Sequence, residues 1–331
     1  MKRILQGFLL VPAGLIAFGC VVWAAAALYF DLPWAALRVP AAIGYLLLVT
    51  AAAFWVRGAG KRIGVLLATF ALVAAWWLTL QPKNDRDWQP EVSRTAWAEI
   101  NGDEVTIHNV RNFDYRSATD MIPRWETRKV RLSQLTAGDL SINFWGTPWM
   151  AHPIASFQFA DAPPLAISIE IRREAGESFS ALGGLFRAFE LIYVVGDERD
   201  LIRVRTNFRS GEDVYLYRTT LSPDEVRRRF LEYLDTLNQL YERPQWYNAI
   251  FANCTTAIRS QRESTARSVW DWRMLVNGKG DRMLFERGAL ATGGLGFAEL
   301  REQAHINAAA RAAHDSPDFS REIRRGRAGF E

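Results

Sequence analysis

Cys254 is the residue in this chain best suited to nucleophilic chemistry. It lies in the run Arg243-Pro-Gln-Trp-Tyr-Asn-Ala-Ile-Phe-Ala-Asn-Cys-Thr-Thr-Ala-Ile258, and the sequence holds only one other cysteine, Cys20. A thiolate attacks a carbonyl carbon readily, whereas a thiol does not. Asn253 before it and Thr255-Thr256 after it read as a helix start. That places Cys254 in a first turn, where the helix N-terminus favours the thiolate. The alternative is a buried, inert cysteine, because free cysteines are commonly core residues.

Thiol catalysis also needs a base and a group that orients the base. The chain has four histidines. His108 falls in an early strand, and His305 and His314 fall in or beside a late helix. His152 precedes a strand whose partner carries Ser168, Glu170 and Arg172 on one face by period-two alternation. Asp161-Ala-Pro-Pro164 reads as the turn joining the two strands. Pairing across it brings Glu170 within reach of the imidazole. The simpler alternatives are a strand-end histidine and a surface glutamate paired with an arginine. The chain contains no HExxH or CxxC and no His/carboxylate cluster at ligand spacing, so no metal or cofactor is expected. Asp197, Glu198 and Asp200 read as a solvated cluster in a hairpin turn, able to pair with Arg199, Arg203 or Arg205.

Three apolar runs precede this machinery, at about residues 4–30, 41–56 and 63–80. Each approaches the ~20 residues that a membrane span needs. The first is too long for a typical signal-peptide h-region, and apolar sequence continues past Cys20, against a lipoprotein cleavage site there. Cys20 therefore reads as a membrane-embedded structural residue. Lys2, Arg3, Arg57, Lys61 and Arg62 flank one side, and the Asp31–Arg38 loop is nearly neutral. Positive residues stay inside, so the amino terminus is expected in the cytoplasm and everything after Leu80 in the periplasm. An unpaired thiol in that oxidising compartment is a liability unless it is used.

Residues 1–80 thus form an expected membrane anchor, 81–94 a linker and 95–331 one large periplasmic domain. The net charge of +4 suits anionic headgroups. A basic stripe with interleaved aromatics is missing, so nucleic acid is not an expected partner. Strands are expected near 95–110, 127–132, 140–145, 154–159, 165–171, 189–195, 201–206 and 213–219. Ser222 and Glu225 form a capping-box pattern ahead of a helix running to Tyr241. A further helix is expected over 299–313, and Arg321–Arg327 as a solvated tail. The fold class is α+β, an antiparallel sheet with helices on one side.

Several stretches resemble a known family. They are Asn112-Phe-Asp-Tyr-Arg-Ser117, Ala151-His-Pro-Ile-Ala-Ser-Phe157, Ser168-Ile-Glu-Ile-Arg-Arg-Glu174, the run from Phe189 to Asp200, and Trp246 to Thr256. Together they are similar to the DUF4105 domain, the periplasmic domain of Lnb-type lipoprotein N-acyltransferases, from about residue 95 to about 325. The order histidine strand, polar strand, cysteine helix also resembles permuted NlpC/P60-like thiol enzymes of papain-like architecture. The resemblance implies Cys254 as nucleophile, His152 as base and Glu170 as orienting residue. It further implies a phospholipid acyl donor and a lipoprotein acceptor. One departure is that the family's membrane helices follow the domain, whereas three spans precede it here. A cysteine amidase or peptidase of cell-wall peptides uses the same constellation, but in an open polar cleft. A non-catalytic membrane-anchored module would keep Cys254 inert.

Overall fold

The computed structural model describes residues 2–251, 253–261, 271–274 and 277–330. The chain divides into two compact units, Met1–Pro82 with Phe179–Phe189, and Lys83–Ser178 with Glu190–Glu331.

The first unit is built on α1 (Lys2–Asp31), α2 (Ala35–Trp55) and α3 (Ala59–Leu78). All three are long and apolar enough to cross a membrane. Val21, Ala24, Tyr45 and Val49 form the buried seam between them. Most other large apolar side chains on these helices are exposed, as for helices solvated by lipid. Cys20 lies within α1 as a free thiol.

The second unit is a mixed α/β structure with a mostly antiparallel sheet. Its first strands are β1 (Trp97–Asn101), β2 (Glu104–Arg111), the short pair β3 (Asp114–Tyr115) and β4 (Met121–Ile122), and β5 (Trp125–Arg131). The central ones are β6 (Leu135–Trp145), β7 (Ala151–Phe159) and β8 (Leu165–Arg172), followed by β9 (Glu190–Gly196) and β10 (Glu212–Arg218). The main sheet runs β1-β2-β9-β8-β7-β6-β10, with β5 on β2. The β1–β2 hairpin turns at Gly102, whose positive φ of 60° suits a residue without Cβ.

Between β9 and β10, the expected strand over 201–206 is instead helical. The chain turns into α4 (Glu198–Leu201) and a π-turn at Val204–Phe208. Asp197 starts α4 by accepting a bond from the Arg199 amide, which explains why alternation failed here. The expected solvated cluster is also corrected. Glu198 and Asp200 are buried, and their partners are distant in sequence. Asp200 takes Arg111 in a forked pair at 2.7–3.1 Å. Glu198 takes Arg324 at 2.6 and 2.7 Å. Arg324 therefore does not belong to a solvated tail.

Helix α5 (Pro223–Glu242) begins with the expected capping box. Its apolar face, Val226, Phe230, Tyr233, Leu234 and Leu237, packs on Phe157, Leu165, Ile167, Tyr193 and Val195 of the sheet. Each such side chain contributes about 1.5–3 kcal/mol by burial. Helices α6 (Cys254–Ser260) and α7 (Gly280–Glu286) follow, then α8 (Phe297–Ala304), α9 (Asn307–Ala312) and α10 (Phe319–Glu322). The helix expected over 299–313 is broken at His305-Ile306. There the chain bridges β10, with the Ile306 amide bonded to the Val214 carbonyl at 3.0 Å.

Candidate active site

The site is assembled from a strand pair and one helix start. β7 and β8 pair antiparallel, ending at Ile154 opposite Ser168. Extending that register by two residues sets His152 across from Glu170, just where the ladder stops. His152 Nε2 lies 2.7 Å from Ser168 Oγ and 3.2 Å from Glu170 Oε1. Ser168 Oγ donates to the same Glu170 oxygen at 2.6 Å. The expected His152–Glu170 contact is therefore present, with a serine hydroxyl wedged beside it.

Cys254 opens α6. The Asn253 side chain accepts from the Thr255 and Thr256 amides at 2.9 and 2.8 Å, which satisfies two donors of the helix start. The thiol is 6% exposed and unpaired with any other cysteine. It lies close enough to the His152 imidazole to help hold its proton. Asn277 Nδ2 donates to its sulfur at 3.1 Å, while Asn277 Oδ1 accepts from Thr255 Oγ1 at 2.8 Å. Asn277 is held by its neighbour Gly278, whose amide bonds to the Trp149 carbonyl. A Cβ on Gly278 would meet Pro148 O at 2.2 Å, so only glycine permits this approach to the segment that leads into β7.

The charges favour an ion pair. Burial alone would push His152 down, but the Glu170 carboxylate and hydrogen bonds with Cys254 and Glu170 more than offset this, raising it to about 9. Burial would likewise push Glu170 up. The charges of His152 and Arg205, with hydrogen bonds from His152 and Ser168, instead hold it well below the usual range. Arg205 reaches Glu170 Oε1 at 2.7 Å from the π-turn. Such turns often mark functional positions.

The linkage signs follow. The folded state holds the His152 proton more tightly than the unfolded chain, so this contribution is complete below pH 6.5 and is lost as pH rises through about 9. Glu170 contributes above its ordinary 4.5 and loses that contribution as pH falls through its lower folded value. Glu170→Gln removes the charge that raises His152. The variant's melting temperature should therefore decline less steeply than wild type between pH 6.5 and 9 in detergent. Parallel declines would show that Glu170 does not hold the imidazolium.

The structure brings His152 and Glu170 into contact and sets Cys254 near the imidazole. Of the three polar residues expected on one face of β8, Arg172 is engaged elsewhere, donating to the carbonyls of Val92 and Ser93. His108 pairs with Glu99, His305 with Asp213, and His314 with Asn207. Three members of the constellation were given no role from sequence. Ser168 was placed on the correct face but not as a relay. Arg205 was assigned to a strand, and Asn277 carried no local signal.

A cavity of about 340 Å³ lies near this site, within the usual ~300–1,000 Å³ of ligand pockets. Leu140, Ile142, Val226, Ile258, Met283 and Leu290 are among the apolar residues of its wall. Thr255 and Asn277 line it too, which ties it to Cys254.

Residues 122–278 match the family model described as the Lnb N-terminal periplasmic domain. This part of the chain is similar to an Lnb-type periplasmic domain. The match includes His152, Ser168, Glu170, Arg205, Cys254 and Asn277, and it covers four of the five stretches that carried the resemblance; Asn112–Ser117 lies before it. No curated protein and no solved structure matches the chain at a significant level. Three helices fit to span a membrane precede this domain, which together with the family match supports a membrane-associated, Lnb-like periplasmic protein.

Proposed function

We propose that this protein is a cysteine acyltransferase that moves an acyl chain from a phospholipid, through a Cys254 thioester, to the amino-terminal amine of lipoproteins. The observation that carries the reading is the mostly apolar cavity lined by Thr255, the neighbour of Cys254, and by Asn277, which bonds its sulfur. An acyl chain gains by burial there, at roughly 0.8 kcal/mol per methylene, whereas a cell-wall peptide would leave its polar groups unsatisfied. This favours acyl transfer over the amidase alternative.

In the proposed first half-reaction, Cys254 Sγ attacks the ester carbonyl carbon. The ester C–O bond breaks, and the imidazolium of His152 protonates the departing alkoxide, releasing a lysophospholipid. In the second, the amine nitrogen attacks the thioester carbon. His152 takes the amine proton, and Sγ leaves as the thiolate. Glu170, with Arg205 and Ser168, keeps the imidazole oriented and its charge favourable. The Asn277 amide, already on sulfur, is placed to hold the nucleophile in position.

The spans would tether this chemistry to the membrane that holds both substrates, raising their effective concentration. The positive-inside pattern implies a cytoplasmic amino terminus. A reporter active only in the periplasm should then work when fused after Asp87 and fail after Gly60. The activity itself is tested by mass spectrometry of a lipoprotein's amino terminus, from cells with and without this protein. An added N-linked acyl chain that depends on the protein supports the reading, and identical termini refute it.

A further inference from the structure

The connection between β8 and β9 contains Phe179-Ser-Ala-Leu-Gly-Gly-Leu-Phe-Arg-Ala-Phe189. The run from Phe179 to Phe186 carries no charge. Phe179, Leu182 and Leu185 are 51, 64 and 40% exposed. In a water-facing loop, three exposed large apolar residues within seven positions would be an unpaid cost. Yet the segment is well anchored. It clusters with the membrane helices rather than with the domain that contains β8 and β9.

The anchoring contacts lie at the carboxyl end of α3. Phe186 stacks on Phe30 at 5.3 Å and lies 6.1 Å from Trp23, both on α1. The Arg187 guanidinium sits 3.9 Å above the Trp77 ring. It donates to the carbonyls of Trp77 and Leu80 at 2.7 and 2.9 Å. The Trp77 carbonyl, which also accepts from the Leu80 amide, closes the last turn of α3, and the Leu80 carbonyl lies just beyond it. Trp77 in turn donates to Asp31 at 2.5 Å. An Arg–Trp–Asp cluster at the end of a span is the composition of a membrane–water boundary. The charge is held at that boundary, while the apolar residues of the same short segment have no protein to cover them.

We infer that Phe179–Phe186 is a membrane-inserted loop whose exposed side chains enter the lipid of the leaflet at the outer end of α3. Its partner is the phospholipid bilayer itself. Continuity with the spans decides this choice, since the residues next to the exposed ones already pack on helices solvated by lipid. The short turn at Gly183–Leu185 bonds its amides locally, Gly184 to Ser180 and Leu185 to Leu182. That lowers the cost of placing backbone in an apolar medium. The loop also joins β8, which carries Ser168 and Glu170, directly to a lipid-inserted element.

The test uses the full chain in vesicles of phosphatidylethanolamine and phosphatidylglycerol, with Cys20→Ser and Cys254→Ala removing the native thiols. A fluorophore is attached at Leu182→Cys, and separately at Phe179→Cys. Reference labels go on Leu72→Cys, exposed on α3, and on Asn101→Cys, exposed in the β1–β2 turn. Lipids brominated on their acyl chains should quench the loop labels as they quench the Leu72 label, and aqueous iodide should quench only the Asn101 label. Iodide quenching of both loop labels, or protection from both quenchers, would overturn the inference. Neither outcome depends on catalysis, so the acyl-transfer reading stands or falls separately.

Discussion

Cys254→Ser should lose acyl transfer by roughly 1,000-fold or more while keeping the wild-type melting temperature. General-base assistance contributes about 10²–10⁴-fold where the nucleophile's acidity suits the base, and a serine hydroxyl is far less acidic than a thiol. Oxygen for sulfur is nearly isosteric, so the buried site beside Tyr233, Ala257 and Asn277 should tolerate it. Wild-type protein incubated with phospholipid should carry an acyl group on Cys254 that hydroxylamine removes, visible by intact mass. Cys254→Ser should show either no adduct or a slowly hydrolysed ester that resists hydroxylamine. His152→Ala should lose nearly all transfer as well, because it removes both the proton donor and the acceptor. Cleaved peptides without an acyl adduct would favour the amidase alternative, and full activity in Cys254→Ala would end the thiol mechanism.

The largest effect on stability is expected at Arg324. Its guanidinium bridges Asp139 at 2.9 Å and Glu198 at 2.6 Å, and both carboxylates are fully buried. Removing one partner of a buried ion pair costs about 3–5 kcal/mol, because the other charge stays buried without compensation. Asp139 would keep Arg218 at 2.5 Å. Glu198, at the start of α4, would lose both of its bonds to Arg324. Arg324→Ala should therefore lower the melting temperature of the full chain in detergent by on the order of 10 °C, and Arg324→Lys should recover part of that fall. A change within the scatter of repeated wild-type melts would mean that the network contributes little.

His152 and Glu170 were legible because period-two alternation and a proline turn are local, and together they set the register. Cys254 was legible because Asn253 and the two threonines announce a helix start within a few residues. Arg205 failed for the opposite reason. Its neighbours alternate like a strand, but Asp197 captures the Arg199 amide, and the burial of Glu198 and Asp200 draws the chain into α4 and the π-turn. The partners that make such burial affordable, Arg324 and Arg111, are far away along the chain. The segment 179–189 carried no local signal of its packing for a related reason. It lies between two strands of the periplasmic domain, so its position in the sequence hides its packing on the spans.

Taken alone, the sequence determined the three long apolar runs, the alternating strands, the capped helix α5, the His152–Glu170 register and the helix start that carries Cys254. Each of these depends on residues within a turn or a hairpin of one another, where hydrophobic period and turn chemistry act directly. The tertiary structure decided the rest: Ser168 against the imidazole, Arg205 on the carboxylate, Asn277 on the thiol, the apolar cavity between α5, β6 and α7, and the route of Phe179–Phe189. These depend on contacts between distant segments. Burial and charge compensation select them only once the sheet has brought the segments together, and no local period in the sequence records that choice.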